Sequence, residues 1–354
     1  MQPSLRAIYA GTYTERTQSR GVYAFRFQPD GSVESLGCVA IAVNPSFLLP
    51  DPHKPMIYAV EETLGGSSRE GAILAYHVDL STGGLELVNR ISSGGVGPCF
   101  LALAKTRRSL LFANYHDGSI GSIRLKDDGS LASRISLVSL SGASIHPQRQ
   151  TASHPHAIVT CSGDSYAIVA DLGSDRLHVF ELSPDGEFSE APIMTRAVTP
   201  GSGPRHLVIH PSGRFLYAIH EISSAISLHR IDTRNWISPA LQVIPAAAPC
   251  EPEVLDAADI VIDHSGGKLY TCTRRTNTIR SFTIDPRSGQ LTHQIDVGAE
   301  GLSPHSLCLD PSGRWLASSN HLSNCVTIFD PSQPKGPALI HTLEVPGASC
   351  TAFL

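Results

Sequence analysis

The sequence is short of several things, and each shortage excludes a class of explanation. Of its 354 residues, 17% are charged and 6% aromatic, and no block of Lys and Arg stands out against a formal net charge of -5. A nucleic-acid or anionic-membrane surface is therefore not expected. No run of about 18 apolar residues is present to cross a bilayer as a helix. The first residues, MQPSLRAIYAGTY, have neither a charged n-region nor an apolar h-region, so no secretory leader is expected. The eight cysteines (Cys38, Cys99, Cys161, Cys250, Cys272, Cys308, Cys325 and Cys350) are scattered without a CxxC pair, several inside apolar strands such as TCT and SLCLD. Buried free thiols in a reducing compartment explain them better than a disulfide framework. There is no GxSxG, no glycine-rich phosphate loop and no GxGxxG before a helix. The expectation is a soluble cytoplasmic protein without a cofactor.

What the chain does have is glycine (30), proline (25) and a repeat. Short apolar openings recur as PSFLL from Pro45, PCFLA from Pro98, PHAIV from Pro155, PRHLV from Pro204, AADIV from Ala257 and PHSLC from Pro304, at intervals of 53, 57, 49, 53 and 47 residues. After most of them come a turn and a second strand (HPSGRFLYAIHE, DHSGGKLYTCTR, DPSGRWLASSNH), then a third (DRLHVFELS, AISLHRID, TIRSFTID) and an outer one. Four strands repeating at about 50 residues predict a β-propeller blade. The N-terminus lacks an opening strand, and the C-terminal GASCTAFL reads as the missing one. That predicts seven blades in one domain over 1–354, closed by the last strand so that no sheet edge is left open. Two tandem β-sandwiches would require a linker near the middle, and none is visible. The irregular stretches Leu140–Ser153 and Ala246–Asp256 read as rim loops.

Function is expected where the repeat is broken. The residue after each opening position reads Ser46, Cys99, His156, Arg205, Ala258, His305; the residue closing each second strand reads Tyr13, Glu62, Tyr115, Leu172, Glu221, Arg274, His321. Adjacent strands in a blade are antiparallel, so both sets should gather at one mouth of the channel. A structural repeat would fill equivalent positions alike. Instead His156, Arg205, Glu221, Arg274, His305 and His321 form a mixed acid, base and cation set. Any one of them alone could simply cap a strand end; the group on one face reads as a site. DLGSDR, Asp171 to Arg176, reads as a turn held by an Asp–Arg pair. Asn114 and Tyr115 either contact a ligand or fill the mouth. His154 and His156 form an HxH without a third ligand at short spacing, so no metal is expected.

Over nearly its whole length the chain resembles the seven-bladed propeller lactonases, which include bacterial 6-phosphogluconolactonases and the fungal 3-carboxy-cis,cis-muconate lactonising enzyme. The matching segments are GTYT with SRGVYAFRF, NPSFL with IYAVEE, LLFANYHDGSI, HPHAIV with ADLGSDRLHVF, GPRHLVIHPSGRFLYAIHE, and LYTCTRR with NTIRSF. The resemblance implies an active-site His, Arg, Glu and Arg at His156, Arg205, Glu221 and Arg274. Two departures stand out. Blade seven opens with Pro304-His305 where relatives usually have Pro-Arg, and the blade of His156 turns through Cys161-Ser162 where Asp-Pro is common. The expected reaction is metal-free hydrolysis of a small anionic lactone, 6-phosphoglucono-δ-lactone first and unphosphorylated sugar-acid lactones next. His156 and Glu221 would be the acid/base pair, with either as base. Arg205 and Arg274 would clamp the anion, and His305, His321, Glu62 and Tyr115 would contact the substrate. Muconate cycloisomerisation and a non-enzymatic partner-binding propeller are the alternatives; the WD-type dipeptides that would favour the latter are absent. A closed propeller of this size can be a monomer or weak homo-oligomer.

Overall fold

The computed structural model describes residues 6–28, 31–63, 69–104, 106, 108–232, 234, 236–248 and 256–354. Seven four-stranded antiparallel sheets form the blades. The first joins Ala348–Phe353 to Ala7–Thr12, Gly21–Phe27 and Val33–Ile41, so the last strand of the chain is the innermost strand of the first blade. The other six blades each hold four strands consecutive in sequence. The apolar residues of these strands have no central core to fill. They form seven clusters, one at each blade–blade interface, including Tyr9 with Ile57 and Tyr76 between blades 1 and 2, and Phe27 with Ile328 between blades 7 and 1. Burial between blades is what holds the ring, and a closed ring leaves none of these faces exposed. Second strands such as Met56–Glu61 are wholly buried, whereas outer ones such as Leu85–Ser92 are exposed or partly exposed along their length.

Polar groups at the interfaces are satisfied across blades. Tyr58 donates to the Gly129 carbonyl at 2.8 Å and Tyr217 to the Gly289 carbonyl at 2.7 Å, each reaching the next blade. The expected Asp–Arg pair in the Asp171 turn is not what forms. Asp171 is buried and accepts from the hydroxyls of Ser153 and Ser174 and from the backbone N–H of His154, with His178 at 3.6 Å. A buried carboxylate is satisfied at lower cost by short local donors than by the long, exposed Arg176. The seven described cysteines are all free; Cys250 lies outside the described residues.

The inner strands carry a device that positions the site. In blades 3 to 7 the register slips by one residue directly after the opening position, between Pro98 and Phe100, Pro155 and Ala157, Pro204 and His206, Ala257 and Asp259, and Pro304 and Ser306. The residue skipped each time is Cys99, His156, Arg205, Ala258 or His305. Blade 1 has the same slip at Ser349, between the pairs Gly11–Cys350 and Thr12–Ala348. Such a bulge re-aims one side chain out of the ladder. Two residues earlier the chain is left-handed in six blades, at Asn44, Gly97, Gly203, Asp256, Ser303 and Gly347. In all seven, the carbonyl at that place accepts the N–H of the residue closing the second strand, as in Glu221 to Gly203 at 2.7 Å and Glu62 to Asn44 at 3.1 Å. Bulge and closing residue are thereby tied together at the same end of the ring.

Candidate active site

At that end lies a cavity of about 380 Å³, a volume suited to a small metabolite. His156, Arg205, Glu221, Arg274, His305, Glu62 and Tyr115 all line it, so two registers far apart in sequence do converge. His321 does not reach the wall. It is half-buried behind Tyr13, which it meets edge-on at 5.5 Å. Asn114 is fully buried and donates to Ser119 at 2.9 Å, a filler of the mouth. The HxH is divided between two tasks. His154 stacks on Tyr115 at 4.6 Å and donates from Nδ1 to the Tyr115 carbonyl at 2.7 Å, while His156 faces the cavity.

Glu221 is the electrostatic centre. Arg149 Nη2 bonds its Oε1, and Oε2 lies 2.9 Å from Arg205 Nε and 3.5 Å from Arg274 Nη2. Burial alone would raise the pKa of this carboxyl. Arg274, Arg205 and Arg149 outweigh it and hold the group well below the usual carboxylate range. Three guanidinium groups against one carboxylate leave this wall with two positive charges in excess. The three arginines also form a gradient of depth, their side chains 3%, 19% and 38% exposed for Arg205, Arg274 and Arg149. The N–H at Arg274 Nε is buried and has no hydrogen-bond partner among the described residues, an unmet donor of the kind that marks functional sites.

Burial, reinforced by the nearby charge of Arg205, keeps the His156 imidazole neutral, its pKa well below the ordinary histidine value. Its ring meets Tyr115 edge-on at 5.4 Å and His206 at 5.2 Å, and Nδ1 lies 4.0 Å from Cys99 Sγ. His206 supports the floor. Asp259 Oδ1 accepts from His206 Nδ1 at 2.6 Å, and Asp259 Oδ2 accepts the Leu307 N–H at 2.8 Å. With Nδ1 carrying the proton, His206 Nε2 is left to accept from Arg205 Nη1 at 3.1 Å. Arg205 Nη1 also donates to the Ala258 carbonyl. The fork of Arg205 is thus pinned from behind.

The opposite wall is chemically different. Ser46 donates its hydroxyl to Glu62 Oε2, and Tyr13 also bonds the carboxyl. Burial raises the pKa of Glu62 to about 7, against the hydrogen bonds from Ser46 and Tyr13 and the field of Arg205. His305 donates Nδ1 to the Ser349 carbonyl at 3.1 Å, and burial keeps it neutral.

Arg149, His206 and Ser349 were not singled out from sequence. Arg149 lies in the irregular stretch Leu140–Ser153, outside the repeat; its signal was the polar HPQRQT run in a long loop just before the His156 strand. Ser349 opens its strand without the proline that marks most others. Among the described residues no group of three His, Cys, Asp or Glu converges as metal ligands do, and no helix is long and apolar enough to cross a membrane.

The family described as Lactonase, 7-bladed beta-propeller matches residues 7–353. Two relatives are 6-phosphogluconolactonases. That of Bacillus subtilis (strain 168) is 27% identical over 349 residues, covering 98% of this chain and 97% of its own. That of Formosa agariphila is 29% identical over 351 residues, covering 97% and 98%. Among solved structures, the periplasmic gluconolactonase of Pseudomonas aeruginosa superposes with a TM-score of 0.89 at 28% identity over 99% of each chain.

Proposed function

The chain belongs to the seven-bladed β-propeller lactonases, and from that premise we propose that it hydrolyses an aldonolactone, 6-phosphoglucono-δ-lactone first among candidates. The observation that carries this reading is the cationic wall, where three arginines at graded depth surround one carboxylate beside a neutral, half-buried histidine. An ester carbonyl entering the cavity meets Arg205 at the floor, where a tetrahedral oxyanion would be stabilised without reorganisation. Arg149 and Arg274, nearer the rim, hold a phosphate or other anion on the same molecule.

His156 is the base in this mechanism. A water oxygen attacks the lactone carbonyl carbon as His156 takes its proton; the oxyanion collapses, the ring C–O bond breaks, and the imidazolium returns the proton to the departing ring oxygen. The product is the open aldonic acid, which releases its carboxyl proton to solvent and leaves as the aldonate. Glu221 is a poor base because three guanidinium groups stabilise its charged form. Its role is to orient those groups and offset part of their charge. The arriving anion repels a carboxylate but draws guanidinium groups, so Arg149 and Arg274 shift from Glu221 toward the substrate.

A second reading, an unphosphorylated lactone, is favoured by the gluconolactonase neighbour from P. aeruginosa. Free cysteines fit a reducing, cytoplasmic setting, whereas that neighbour is periplasmic. The closed ring is read as a monomer or weak homo-oligomer.

Arg274→Lys separates the readings. It keeps the charge and loses the fork, so KM for 6-phosphoglucono-δ-lactone should rise about 10-fold or more with little change in kcat. KM for glucono-δ-lactone should move much less. Equal KM values for Arg274→Lys and the unaltered enzyme on the phosphorylated lactone would remove the anion clamp from the account.

A further inference from the structure

The cavity is polarised across the ring. Its arginines sit on blades 5 and 6 and in the loop before blade 4, around Glu221: Arg149, Arg205 and Arg274. In a seven-membered ring, blade 2 lies across the channel from blades 5 and 6, and Glu62 closes the second strand of blade 2 as Glu221 does in blade 5. On blades 7, 1 and 2 the lining residues include His305, Tyr13, Ser349, Ser46 and Glu62, and none of the described lining residues there is Lys or Arg. These groups are ordered. Ser46 and Tyr13 both bond the Glu62 carboxyl, and Ser349 Oγ donates to the Ser46 carbonyl at 2.9 Å. His305 has Nδ1 committed to the Ser349 carbonyl, which leaves Nε2 as an acceptor. Hydroxyl, carboxyl and neutral imidazole side by side can both give and accept hydrogen bonds, yet offer no cation to a phosphate.

We propose that this wall, centred on Glu62 with Tyr13 and Ser46, is the subsite that receives the ring hydroxyls of the substrate and so selects polyhydroxylated lactones over bare lactone rings. The inference rests on the lactonase reading above and adds the orientation of the substrate. Carbonyl and any phosphate face blades 4 to 6, and the hydroxylated edge faces blades 7, 1 and 2. A site built to bond hydroxyls discriminates strongly against a ligand lacking them, because its own buried polar groups are then left unpaired. Glu62 is 8% exposed, so an unmet carboxyl there is costly.

The test compares kcat/KM on glucono-δ-lactone with that on δ-valerolactone, the same ring without hydroxyls, in the unaltered protein, Glu62→Ala and Glu62→Gln. The unaltered protein should favour the hydroxylated lactone, after correction for spontaneous hydrolysis, and Glu62→Ala should cut that preference on the order of 10²-fold through loss on glucono-δ-lactone. Glu62→Gln, which can still donate and accept, should retain most of the preference. If Glu62→Ala lowers both substrates equally, or Glu62→Gln behaves like Glu62→Ala and also loses a limb of the pH profile, Glu62 acts in proton transfer or folding and the proposal is overturned. A protein that hydrolyses neither these lactones nor the phosphorylated one refutes the lactonase reading instead. Melting curves of both variants identify a folding defect, and in that event Tyr13→Phe and Ser46→Ala on the same substrate pair decide.

Discussion

Glu62 and Glu221 close equivalent strands of blades 2 and 5, and burial penalises the charge of both. Their fates differ because of neighbours. Glu221 has three arginines within ion-pair distance and stays charged; Glu62 has two hydroxyls and moves up to about 7. Three histidines go the other way, with His156 and His305, both half-buried, held well below their ordinary value and the buried His220, bonded to Ser227 at 2.8 Å, lowered to about 3. Each of these would take up a proton in the unfolded chain near 6.5 but not in the folded one, so the unfolded state binds more protons below that pH. Their contribution is therefore complete above 6.5 and is lost on acidification, at about 1.4 kcal/mol per histidine per pH unit. Glu62 works in the opposite sense. Its folded-state value is raised, so its contribution is lost as pH rises from 4.5 to about 7. Three histidines outweigh one carboxyl. Urea unfolding at pH 7, 6 and 5 should show stability falling at each step, and a flat or rising trend would mean these rings are not held neutral. The same reasoning places the acid limb of kcat/KM well below 6.5, since His156 is already the free base there.

At the scale of the strand, the site is made by a left-handed residue, an opening position and a bulge. Gly203 shows how tight the device is. It has φ +66, and a Cβ there would meet Ile222 at 2.9 Å. Gly203→Ala should cost about 1–2 kcal/mol from the left-handed backbone. It should also lower activity more than that loss explains, because Arg205 lies two residues on. Melting temperature read beside kcat/KM at a temperature where the variant is fully folded checks this, and unaltered turnover would show that the turn does not aim Arg205. The sequence disclosed the registers because Pro-His, Pro-Arg and the strand-closing residues break a visible pattern. It did not disclose the bulges, which are a property of pairing between strands. Nor did it disclose Arg149, whose loop obeys no repeat, or the retreat of His321 behind Tyr13, which depends on side-chain packing.

Across the whole molecule, ring closure turns sequence distance into proximity. Tyr13 near one end of the chain and Ser349 near the other line one cavity with Arg205 from the middle. The blade count and the closing strand were legible because period and turn chemistry are local. The charge asymmetry of the mouth was legible only as a list of residue types, since which blades face each other follows from the number of blades in the ring. We propose that the cationic side of this mouth hydrolyses a lactone with His156 as base. The most direct measurement is the hydrolysis of freshly generated 6-phosphoglucono-δ-lactone, with chelator present and the spontaneous rate subtracted, by the unaltered protein and by His156→Asn. The expected result is a rate well above background that falls by about 10²–10⁴-fold in the variant. No excess rate, or a His156→Asn variant as fast as the unaltered protein, would contradict it.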